Sequence, residues 1–79
     1  MKLTGEFLLA AEIADSLEEQ IKIVDSELDY KRVLKLAIYT ANCMKSIIPM
    51  YKGNLNPKWK QYDTVIKILK YRLKLIIKP

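Results

Sequence analysis

The chain predicts an all-α fold, a three-helix up-down-up antiparallel bundle. Three features carry that expectation. Three segments space their apolar residues alternately by three and four, glycine and proline are scarce, and capping and turn residues fall at the two junctions. Alternating spacings of three and four place one set of side chains on a single helical face, whereas a half-buried strand alternates every second residue. No strand-like alternation persists. At 79 residues the chain makes one domain, near the size at which a single core still suffices.

The first helix is expected over residues 5–27, with Phe7, Ala10, Ala14, Leu17, Ile21, Val24 and Leu28 on its inner face. Asp25, Ser26 and Asp29 all favour helix starts, because their side-chain oxygens accept from free backbone N–H groups; the chain should turn there. The second helix is expected over residues 30–48, through Tyr30, Leu34, Ala37, Ala41, Met44 and Ile48. Pro49 disfavours helical geometry at Ile48 and so closes it. Residues 49–56 read as a loop with Gly53 and Asn54 as turn residues. Asn56-Pro57 joins a cap to a proline suited to the first helical position, and starts a third helix over residues 57–77. Trp59, Tyr62, Ile66, Leu69, Leu73 and Ile76 form its inner face.

Charge divides the chain. Residues 1–30 hold Lys2 and Lys22 against eight carboxylates, while every later carboxylate is Asp63 and the other twelve basic residues lie beyond Tyr30. The sum is +5. A bundle of this order sets the acidic first helix beside the basic third one, although exposed ion pairs contribute only about 0–1 kcal/mol each.

Composition disfavours catalysis. There is no histidine, which removes the commonest general base and metal ligand. Cys43 stands alone, without the partner that generates a thiolate, and reads as a packed or half-exposed structural residue. The carboxylates of the first helix, Asp15, Glu18 and Glu19 among them, read as a solvated acidic face, since only Asp63 lies elsewhere to complete a metal site. No cofactor is implied. A single cysteine suits a reducing compartment. No apolar run approaches the roughly 20 residues a bilayer requires, and Glu6 interrupts any leader-like start. A cytoplasmic protein is expected. Abundant lysine and isoleucine with little asparagine or glutamine resemble a thermophile's composition.

Two features point to binding. Lys60, Lys67, Lys70, Lys74 and Lys78 recur at helical spacing on the side of the third helix away from its core face. They form either a wet face or a site for phosphates or acidic peptides. The second feature is surplus apolar surface. Val33, Leu36, Tyr39, Cys43 and Ile47 flank the main stripe of the second helix, and Val65, Ile68, Tyr71, Leu75 and Ile77 that of the third. Much of this serves a wide core face. The remainder suggests a groove between the second and third helices, rimmed by lysines, that suits an acidic amphipathic helix laid lengthwise.

The layout resembles an MIT (microtubule interacting and trafficking) domain of archaeal type. The likeness rests on length, on three helices, and on Asp25-Ser-Glu-Leu-Asp-Tyr30, which is similar to the family's Asp-x-x-Gly-x-Tyr turn. Tyr51-Lys-Gly-Asn54 and the lysine-rich close Leu73-Lys-Leu-Ile-Ile-Lys-Pro79 resemble archaeal members too. Leu28 stands where the family usually has glycine, and the second helix has fewer spaced alanines. The resemblance implies capture of short C-terminal motifs from ESCRT-III-like filament proteins, between helices 2 and 3 or between 1 and 3. Leu36, Tyr39, Val65, Ile68, Tyr71 and Leu75 would then be floor residues, with Lys67, Lys70 and Lys74 holding acidic side chains of the peptide.

Two other classes stay open. A small nucleic-acid-associated protein of archaeal or viral origin would use the lysine stripe on phosphates. Sequence-specific reading of nucleic acid is not expected, because residues 49–56 exceed a helix-turn-helix turn and only Arg32 and Arg72 are arginines. A structural homodimer would instead pair helices 2 and 3 through Val65, Ile68, Tyr71 and Leu75.

Overall fold

The computed structural model describes residues 5–48 and 57–77. Those residues form three helices, α1 (Gly5–Val24), α2 (Tyr30–Ser46) and α3 (Pro57–Ile77), in an all-α bundle with no strand among them. The junction between α1 and α2 is made by aspartates, each in a separate role. The Asp25 carboxylate accepts from the Glu27 N–H at 3.1 Å, and the Asp25 carbonyl from the Leu28 N–H at 3.4 Å. These bonds draw the backbone into a turn, so α1 stops at Val24 rather than continuing to residue 27. Asp29 is the cap of α2: its carboxylate accepts from the Arg32 N–H at 2.8 Å.

The far end of α2 tightens before the expected residue 48. Ile47 and Ile48 donate to the carbonyls of Met44 and Lys45, three residues back in each case, and the Ser46 hydroxyl donates to the Cys43 carbonyl at 2.8 Å. The expected loop at 49–56 and the Asn56 cap lie outside the described residues.

The core joins Ala10 and Ala14 of α1 to Leu34, Ala37 and Ala41 of α2 and to Val65, Ile66, Ile68 and Leu69 of α3. Most are the residues the spacing selects. The differences lie at the rod ends, where Phe7, Val24, Tyr30, Met44 and Ile76 are exposed because neighbouring helices no longer flank both sides. Helix α3 buries a wider face than its single stripe, adding Val65 and Ile68, as a helix packed on two neighbours must. The helices contribute unequal volume. α1 meets the core through alanines, and α3 through large branched residues.

Polar contacts fix which parts of the helices adjoin. Lys45 of the last turn of α2 reaches Asp63 in the first half of α3 at 3.0 Å and lies 4.1 Å from the Trp59 ring centroid. Glu6 and Leu9 share a shallow recess with Pro57, Lys58, Lys60 and Gln61, so the starts of α1 and α3 are neighbours. Farther along, Arg72 of α3 reaches Asp15 and Glu18 of α1. An up-down-up order requires pairings of this kind.

Candidate docking trough between the first and third helices

Part of the apolar surface left by core formation lines a trough of about 670 Å³ between α1 and α3. Phe7 and Ala11 line it from α1; Thr64, Lys67, Ile68, Tyr71, Arg72 and Leu75 line it from α3. Its origin is a mismatch of side-chain size. Ala10, Ala11 and Ala14 are too small to cover the branched and aromatic residues opposite, so Tyr71 and Leu75 stay 62% and 58% exposed. A second recess, about 500 Å³, lies at the α1–α2 side and is lined by Leu17, Ile21, Val24, Leu28 and Leu36, with Asp25 at its edge.

The nine residues expected to line a groove between helices 2 and 3 are therefore distributed. Lys67, Ile68, Tyr71 and Leu75 meet in the α1–α3 trough, although Ile68 shows it only an edge. Val65 is fully enclosed in the core and presents nothing to a partner. Leu36 faces the α1–α2 recess instead, and Tyr39 stands exposed on α2 and lines none of these three recesses. Lys70 and Lys74 are exposed, on one helical stripe with Lys67 by their spacing of three and four. At the α2–α3 seam, Lys45 lies between the Trp59 ring and Asp63.

Electrostatics around the trough are set by two clusters. In the first, Asp63 accepts from Lys45 and is paired with Lys67 at 3.3 Å. The Lys45 hydrogen bond is the main cause holding its carboxyl below the ordinary range. Lys67 is thus partly neutralised, while its side chain remains 75% exposed. The second cluster unites all three helices. The Glu18 carboxylate accepts from the Arg72 guanidinium and from the Tyr30 hydroxyl, and Arg72 also donates to Asp15 at 2.8 Å. Burial opposes charge on Arg72, but the hydrogen bonds to Glu18 and Asp15 outweigh it and raise its pKa. Burial, then the bond to Glu18, raises the Tyr30 hydroxyl. Lys22 lies 5.0 Å from the Tyr30 ring centroid and covers its outer face.

Glu18 corrects the reading of α1 as a uniformly solvated acidic face. It is almost fully buried, whereas Asp15, Glu12 and Glu19 are exposed. The sequence does hold a signal for this: Glu18 follows Ala10 and Ala14 at spacings of four, on their own stripe. A carboxylate on an alanine stripe needs a cation from elsewhere, and Arg72 supplies it. Cys43, expected packed or half-exposed, is exposed rather than packed.

Chemically the trough can hold an apolar side-chain row, with Lys67 at its edge to meet carboxylates. With Arg72 committed to α1, the exposed cations of α3 are lysines, of which Lys67 is paired with Asp63; lysines attract a phosphate backbone without reading bases. Among the described residues, no group of three or more His, Cys, Asp or Glu side chains could hold a metal ion, and no helix is long and apolar enough to cross a membrane. No protein-family model, curated protein or solved structure matches the chain.

Proposed function

We propose that the chain is a non-catalytic interaction module that takes an acidic amphipathic helix from a partner protein into the α1–α3 trough. The observation that carries this reading is the exposure of Tyr71 and Leu75 beside Phe7 and Ala11, along one apolar trough of about 670 Å³. A trough floored by one helical stripe accepts the apolar face of another helix at anchors spaced three, four and seven residues apart. Lys67 and Lys74, one turn apart twice over on the α3 rim, favour an acidic flank on the bound helix. The resemblance to MIT domains supports the same class of ligand, a short motif of an ESCRT-III-like filament protein. The groove favoured here is that between helices 1 and 3 rather than that between 2 and 3.

The test is an amide-shift titration with a designed helical peptide that carries leucines at those spacings and glutamates beside them. Shifts should concentrate at Ala11, Thr64, Ile68, Tyr71 and Leu75. Tyr71→Ala should weaken binding by roughly 10- to 30-fold, as loss of a central aromatic anchor does. Shifts confined to the α1–α2 recess, or equal binding by Tyr71→Ala, would refute the assignment.

A further inference from the structure

The α1–α3 face is complementary to itself, and we infer that a second copy of this chain docks on it. On α1, Glu12, Asp15 and Glu19 recur at spacings of three and four and are exposed, with exposed Leu8 and Ile23 at either end of the same stripe. On α3, Lys60, Lys67 and Lys74 recur every seven residues and are exposed, beside Tyr71 and Leu75. The trough runs between these ridges. One face thus carries an acidic ridge, an apolar centre and a basic ridge.

Symmetry selects one arrangement. A two-fold axis lying along the trough, parallel to the helices, sets α1 of one copy over α3 of the other at the same height. A two-fold across the helices would stack α1 on α1, acid on acid. Heights can be read from the contact of Arg72 with both Glu18 and Asp15, which puts an α1 residue level with the α3 residue 54 to 57 positions later. Glu12 then stands level with residues 66–69 and Glu19 with residues 73–76, opposite Lys67 and Lys74 of the second copy. Both pairs form twice by symmetry, and Tyr71 and Leu75 meet across the axis. An ordinary stable interface takes about 800 Å² from each partner. That is near an eighth of this chain's 6128 Å², well within one face of a three-sided bundle.

This pairing covers the trough assigned above to a partner helix, so self-association and peptide capture exclude each other. The two claims fail separately. Sedimentation velocity of the chain without peptide, over a wide concentration range at low and at high salt, should show a monomer–dimer equilibrium that weakens with salt. Glu12→Lys with Glu19→Lys in one variant, and Lys67→Glu with Lys74→Glu in another, should each weaken the dimer roughly 100-fold, since four rim contacts reverse sign. An equimolar mixture of the two variants should recover a dimer, because all four contacts of the mixed pair are again of opposite charge. Circular dichroism of each variant confirms the fold. A wild-type chain monomeric at every concentration overturns the inference, as does a dimer indifferent to these reversals or a mixture that stays monomeric. A monomer that still binds the designed peptide would leave the peptide reading intact.

Discussion

Removing Arg72 should destabilise the bundle far more than removing Arg72 and Glu18 together. The Glu18 side chain is 9% exposed, and that of Arg72 is 26% exposed. The carboxylate is therefore an almost buried charge whose main cation comes from the opposite helix. Truncating one partner of such a pair costs about 3 kcal/mol, because the remaining charge stays desolvated without compensation. Replacing both by apolar residues of similar volume is close to neutral. Arg72→Met should thus lose about 3 kcal/mol, softened somewhat by the hydrogen bond that Tyr30 still donates. A chain of this size has roughly 4–12 kcal/mol in total, so the loss is a large fraction of it. Thermal unfolding followed by far-UV circular dichroism should show a fall in Tm of roughly 10–20 °C. The double variant Glu18→Leu, Arg72→Met should return to within about 1 kcal/mol of wild type. Equal destabilisation of the single and double variants would refute the reasoning, since it would trace the loss to packing of the Arg72 stem rather than to a stranded carboxylate.

Other expectations follow from the same contacts. The Asp63 carboxyl is held below its ordinary range in the folded state, so its contribution is full above pH about 4 and fades as pH falls through the lower folded-state value. Lys45→Met should reduce that acid-limb slope, measured by urea unfolding across pH. Tyr30 is shifted the other way, upward, so stability should be complete below pH about 10 and decline as the solution becomes more alkaline; Tyr30→Phe should flatten the alkaline limb. Leu34→Ala opens a cavity at a fully enclosed position and should cost 2–5 kcal/mol, read from the urea midpoint at unchanged slope. Asp29→Ala removes the cap of α2 and should cost about 1 kcal/mol, with faster amide exchange in its first turn.

Helical periodicity alone determined the class of this fold, because a repeat of three and four has one compact solution: stripes that face one another. It also marked Asp25, Ser26 and Asp29 as cap candidates, of which Asp29 is the cap, and the α3 lysines as one ridge, since both are local matters of backbone geometry and spacing. Periodicity could not decide which groove stays open. That depends on the volume each helix brings to each neighbour. Only the packed bundle shows that the alanines of α1 leave Tyr71 and Leu75 uncovered, and that Lys45 of α2 sits over the Trp59 ring of α3. Val65 and Tyr71 look equivalent as surplus apolar residues of one helix, yet one is enclosed and the other open. Arg72 and Glu18 are 54 residues apart. Spacing marks Glu18 as an inward carboxylate but does not name its partner, because the pair exists only once two helices have been brought side by side.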